Sequence, residues 1–174
     1  PLLPVDADHR FAEVARHAAG DVYKLSDNPA DNVNAEKIAL ALRENMADSD
    51  VKTVVVDSLT AILSPLVAQA VIDNDAGRNK NRVSAFKDKA LSLRLLQDVI
   101  TGWGCDVLWI YHLRDTRDAQ AVERKGVTSI SAVELARLRR SLNMQLKVIT
   151  NGSKRGIKVE WARRGRSGIE LWDE

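Results

Sequence analysis

The chain has 174 residues, 45% hydrophobic and 29% charged, with 26 Lys+Arg against 24 Asp+Glu and a net charge of +2. That composition supports one good core and excludes a disordered chain; no apolar run approaches the roughly 20 residues that span a bilayer, and no secretory leader opens it. The expectation is a single cytoplasmic domain with no membrane partner.

Charge is segregated along the chain. From Arg114 to Arg166 fourteen Lys/Arg face five Asp/Glu, a local +9, and the remainder carries −7. A basic third of this kind faces either solvent or a polyanion such as nucleic acid. The single cysteine, Cys105, opens an apolar run, so it predicts a small buried side chain and offers no disulfide or metal framework.

Taken in order, Leu2 to Asp6 predicts a short apolar strand, followed by Ala7-Asp8-His9. The chain thus begins inside a strand and without methionine, which is the expectation for one cut upstream. Arg10 to Ala19 places Phe11, Val14, Ala15 and Ala18 on one helical face, Val22 to Leu25 is a brief strand, and Ser26 to Pro29 is a turn. Ala35 to Met46 is amphipathic, with Ile38, Leu42 and Met46 four apart. Lys52 to Asp57 then runs through Thr-Val-Val-Val into a carboxylate, the pattern of a central strand covered on both faces.

Thr60 to Ile72 is apolar enough to predict a packed helix or an irregular crossover, despite Pro65. Asp73 to Arg82 lacks apolar periodicity and predicts a mobile loop, Val83 to Ile100 a long helix ended by Gly102 and Gly104, and Cys105 to Leu113 another buried strand. Arg114 to Gly126 predicts a charged flexible loop and Ser131 to Leu142 a basic helix. Gln145 to Thr150, Gly156 to Trp161 and Gly168 to Trp172 alternate and are separated by Asn-Gly and Arg-Gly turns, which predicts an antiparallel meander. The fold class is α/β, a mostly parallel twisted sheet flanked by helices with that meander at its end.

Three strands end in reactive groups: Asp6 and Asp8 with His9, Asp57 with Ser58, and His112. Ligands of open α/β sheets bind beyond the carboxyl ends of the strands, so these groups can share one crevice. A carboxylate after a buried strand can hold the water shell of Mg²⁺, a second can polarise an attacking water, and a polar group on the neighbouring strand can sense a terminal phosphate.

The strings Val5-Asp6-Ala7-Asp8-His9, Thr53-Val54-Val55-Val56-Asp57-Ser58 and Leu108-Trp109-Ile110-Tyr111-His112-Leu113-Arg114, in that order, resemble the ATPase core of RecA-like recombinases and the related phage single-strand annealing ATPases. The resemblance implies a RecA-like P-loop NTPase core over residues 1–174, using ATP and Mg²⁺. It implies that Asp8 is the catalytic acid, Asp57 the Walker B acid that holds the metal with Ser58 beside it among the cofactor-binding residues, and His112 the γ-phosphate sensor. The family's usual residues are glutamate at the position of Asp8 and glutamine at that of His112. No G-x-x-x-x-G-K-[ST] occurs in the chain, and the resemblance puts that loop directly upstream.

The same resemblance implies single-stranded DNA binding by two loops, one with Arg78, Lys80 and Arg82 and the other with Arg114, Arg117, Arg124 and Lys125. Neither loop carries a stacking aromatic, which leaves contacts to the phosphate backbone. It also implies a homo-oligomer, filament or ring, in which Arg163 and Arg164 reach the ATP of an adjacent subunit. The alternatives are a non-catalytic DNA-binding or filament-forming module of the same fold, and the motor core of a hexameric helicase.

Overall fold

A computed structural model describes residues 2–10, 23–24, 35–46, 50–78, 82–117, 123–128 and 130–173. The helix expected over Arg10 to Ala19 lies outside the described residues beyond its first, and the turn at Ser26 to Pro29 lies outside them altogether. Lys80 does too, as do the side chains of Arg82, Arg117, Arg124 and Lys125. The chain divides into two compact units, Pro1–Ser129 and Ile130–Glu174.

The first unit is built on a four-stranded sheet in which every pairing is parallel. Its strands are β1 (Leu2–Asp6), β2 (Tyr23–Lys24), β3 (Thr53–Asp57) and β4 (Asp106–Trp109), in the order β2-β1-β3-β4. The register sets Val5 beside Val56 and Asp6 beside Asp57. Leu3, Val5, Val54, Val55 and Val56 are all buried, so the two central strands are held from both faces, as their unbroken apolar runs require. The chain leaves β1 for β2 on one side and returns past β1 to β3 on the other. The carboxyl ends of β1 and β3 therefore form the topological switch point of the sheet, where doubly wound folds open their crevice.

Among the described residues three helices accompany this sheet: α1 (Ala35–Met46), α2 (Leu59–Asp75) and α3 (Arg82–Gly102), with α3 packed against both others. Ile38 and Leu42 of α1, Leu59, Ile62, Leu63 and Leu66 of α2, and Leu93, Leu96 and Ile100 of α3 supply the buried side chains. At about 1.5 to 3 kcal/mol for each large aliphatic side chain, this burial is the main force holding the strand ends in place.

Of the two alternatives for Thr60 to Ile72 the packed helix is the one found, and several other elements differ from the sequence reading. Helix α2 is continuous through Pro65, because only one backbone donor is lost and the flanking Leu63 and Leu66 are locked in the core. It runs to Asp75, so the loop expected from Asp73 is shorter at its start. Strand β4 is half exposed instead of buried, with Leu108 50% accessible: among the described residues it ends the strand order and pairs only with β3. Cys105 is likewise only half-buried, its thiol 3.4 Å from the Val51 carbonyl oxygen. Arg114 to Gly126, expected to be a flexible loop, contains an antiparallel hairpin of β5 (Arg114–Arg117) and β6 (Glu123–Val127). Gly126, in β6 where the register shifts opposite Arg114 to Thr116, has a φ of +65°, and its N–H donates to Asp115 Oδ1 at 2.9 Å.

The second unit contains α4 (Ala132–Ser141) and an antiparallel meander of β7 (Met144–Asn151), β8 (Lys154–Ala162) and β9 (Glu170–Trp172). Ser131 starts α4 with a capping box: its Oγ accepts the Glu134 N–H at 3.2 Å and Glu134 Oε2 accepts the Ser131 N–H at 2.9 Å. In the meander the register aligns Val148, Ile157 and Leu171 on one face and Lys147, Lys158 and Glu170 on the other, where Lys158 and Glu170 pair at 3.2 Å.

Gly156 is the tight point of this sheet. A Cβ there would stand 2.7 Å from both the Leu171 carbonyl oxygen and the Trp172 ring. Gly156→Ala is expected to displace β9 and to cost about 1 to 3 kcal/mol. Urea unfolding followed by tryptophan fluorescence measures this, and an unchanged midpoint would show that Trp172 does not rest on this glycine.

Candidate functional site

The turn after β1 is bound to the end of β3. The Asp57 carbonyl oxygen accepts the Ala7 N–H at 2.7 Å and the Asp8 N–H at 3.3 Å. Asp6, only 4% exposed, closes the same turn: its Oδ1 accepts the Arg10 N–H at 3.0 Å. Asp6, grouped by sequence with the strand-end reactive residues, thus has a buried structural bond. Directly after Asp8, His9 has a φ of +56°, a left-handed conformation costing roughly 1–2 kcal/mol in a non-glycine residue. The hydrogen bonds on either side of it fix the turn and so hold Asp8 over the sheet edge.

Asp57 stands at the end of β3, where the Asp57–Ser58 peptide is cis. Ser58 is fully buried and caps α2, its Oγ accepting the Ala61 N–H at 3.2 Å. The sequence placed Ser58 among the cofactor-binding residues; in the structure its hydroxyl caps α2 directly after Asp57.

His112 comes to the same point from β4. The chain continues along β3 past the end of the strand, with the Ile110 N–H on the Val56 carbonyl at 3.0 Å and the Leu59 N–H on the Ile110 carbonyl at 2.8 Å. The His112 N–H then donates to Thr60 Oγ1 at 2.9 Å. The imidazole Nε2 lies 3.2 Å from Asp8 Oδ2, within reach of an N–H···O bond between a side chain 55% exposed and one 24% exposed.

Asp8, Asp57 and His112 therefore meet, each offering a donor atom, and those three atoms lie within 4.8 Å of one another. Burial raises the Asp57 carboxyl above its ordinary value, the nearby Asp8 charge raises it further, and His112 and Arg10 act in the opposite direction. Two carboxylates under mutual repulsion with an imidazole between them attract positive charge, so the residues fit a divalent cation. The sequence pointed to all three. It did not point to Thr60, which anchors His112 from 52 residues away, and only its place in the first turn of α2, directly after Asp57-Ser58, could have signalled that role.

Arg78, just past α2, pairs with Asp73 at 3.0 Å on the surface, and Arg114 opens β5 in an exposed position. Arg163 and Arg164 belong to the second unit, where both are exposed and the Arg163 guanidinium donates to the Arg140 carbonyl oxygen.

Comparison of the sequence with protein-family models and with curated proteins finds no match in either.

Proposed function

We propose that the chain is a RecA-like ATPase core acting on single-stranded DNA, with Asp8, Asp57 and His112 handling the terminal phosphate of Mg²⁺-ATP. The observation that carries this reading is the meeting of two carboxylates and an imidazole at the switch point of a parallel sheet. Asp57, with Asp8 beside it, would hold the metal ion, whose charge would offset that of the phosphate.

The chain's own groups supply the other roles. Asp8 accepts the proton of the attacking water and orients it, a task that suits a carboxylate with a neighbouring N–H donor. His112 donates from Nε2 to a phosphate oxygen as negative charge moves onto it. Because Leu113 and Arg114 follow directly, a movement of the imidazole reaches the β5–β6 hairpin, whose cations Arg114, Arg117, Arg124 and Lys125 are assigned to DNA phosphates together with Arg78, Lys80 and Arg82. Arg163 and Arg164 are assigned to the nucleotide of a neighbouring copy in a homo-oligomer.

The deciding experiment is phosphate release by the intact protein with Mg²⁺-ATP, with and without single-stranded DNA. Release stimulated by DNA and suppressed by salt is expected; a folded protein that hydrolyses no ATP under either condition would overturn the reading. Thr60→Val probes the positioning of His112. It removes the acceptor of one backbone N–H, and a fall in turnover of roughly 3- to 10-fold is expected, with nucleotide affinity little changed. Equal losses in kcat and affinity would count against that role.

A further inference from the structure

Two carboxylates and an imidazole are a donor set with a preference of its own. Asp8 Oδ2 and His112 Nε2 stand 3.2 Å apart, and the donor atom of Asp57 completes a group within 4.8 Å. Donors held about 2.1 Å from one ion lie about 3 Å apart when adjacent and about 4.2 Å apart when opposite, so the group closes on a single ion with shifts below about 1 Å. Magnesium gains little from an imidazole and keeps its waters, whereas manganese, cobalt and zinc bind nitrogen with increasing strength.

The backbone holding these donors is already fixed. Asp8 is held by its own N–H on the Asp57 carbonyl, Asp57 by the last register pair of β3, and His112 by Thr60. His112 is more than half exposed, so an ion seated there keeps open positions for water or a phosphate oxygen.

The geometry points to a direct, nucleotide-independent site for a borderline divalent ion of the manganese-to-zinc class, ligated by the carboxylates of Asp8 and Asp57 and by Nε2 of His112. Such a site differs from a magnesium ion held through its water shell by Asp57, and it requires only the three side chains, whether or not the chain hydrolyses ATP. An ion there occupies the Asp8 and His112 atoms assigned above to water and phosphate. Zinc is therefore an expected inhibitor of any magnesium-supported turnover.

Mn²⁺ is the probe. Titration of the nucleotide-free protein, followed by loss of the free-ion electron paramagnetic resonance signal, is expected to show one ion per chain. Pulsed spectra should show nitrogen coupling from one imidazole. His112→Ala, at an exposed side chain, should remove that coupling and weaken Mn²⁺ by at least about tenfold, while Mg²⁺, measured by competition, changes little. Asp57→Asn should weaken both ions, and His9→Ala should retain the nitrogen signal.

Absence of stoichiometric Mn²⁺ binding, or binding with the same nitrogen coupling in His112→Ala, would overturn the site. The two readings fail separately. Manganese bound through His112 in a protein that releases no phosphate would sink the ATPase reading alone, and DNA-stimulated hydrolysis with no manganese–nitrogen coupling would sink this site alone.

Discussion

Asp57→Asn is expected to reduce phosphate release by at least about 100-fold while giving a protein that melts at a higher temperature than the parent at neutral pH. The loss follows from removing the carboxylate assigned to the metal; an ion in that position supplies several kcal/mol of charge stabilisation, and each 1.36 kcal/mol is tenfold in rate. The gain in stability follows from the raised pKa of Asp57, caused first by burial and then by the Asp8 charge. Because the folded chain holds that proton more tightly than the unfolded chain does, ionising Asp57 costs stability. The cost is absent below about pH 4 and grows as pH rises through the raised value. Asparagine never ionises, so the melting temperatures of variant and parent should diverge as pH is raised from about 4 to about 7. Calorimetry or scanning fluorimetry across that range measures the gap, and a variant less stable than the parent at pH 7 would contradict the electrostatic account.

The parts of the fold that were legible are those where burial dictates composition. The Val54-Val55-Val56 run gave β3, and the four-residue spacing of Ile38, Leu42 and Met46 gave α1 with its observed limits, because a buried face leaves its period in the sequence. The β5–β6 hairpin left no such trace: it pairs Arg117 with Glu123 and Thr116 with Arg124, so its strands are polar and carry no apolar period. The half-exposed state of β4 depends on its place in the strand order, which its own apolar residues do not encode. At the site, the chemistry-bearing tips were visible because each lies at the end of a strand or within three residues of it. The supports were not, since the Asp6 bond to the Arg10 N–H and the Thr60 bond to the His112 N–H depend on how turns close in three dimensions.

Asp8→Asn separates proton acceptance from positioning. The asparagine side chain keeps an oxygen that can accept from His112 Nε2, and the residue's backbone N–H on the Asp57 carbonyl is untouched, so the crevice should keep its form. What is lost is the ability to take a proton from water, and a drop in kcat of roughly 10²- to 10⁴-fold is expected with little change in nucleotide affinity. Asp8→Glu should recover part of the rate, because a carboxylate on a longer stem still reaches a water beside the phosphate. The same variant carries a second, independent consequence: removing the Asp8 charge takes away the second cause of the raised Asp57 pKa. In an Asp8→Asn background, the stability gained at neutral pH by adding Asp57→Asn should therefore be smaller than in the parent, a non-additivity expected only of groups in direct interaction. Additive melting shifts would mean that the two carboxylates do not sense each other, and a kcat left intact by Asp8→Asn would remove this residue from the chemistry.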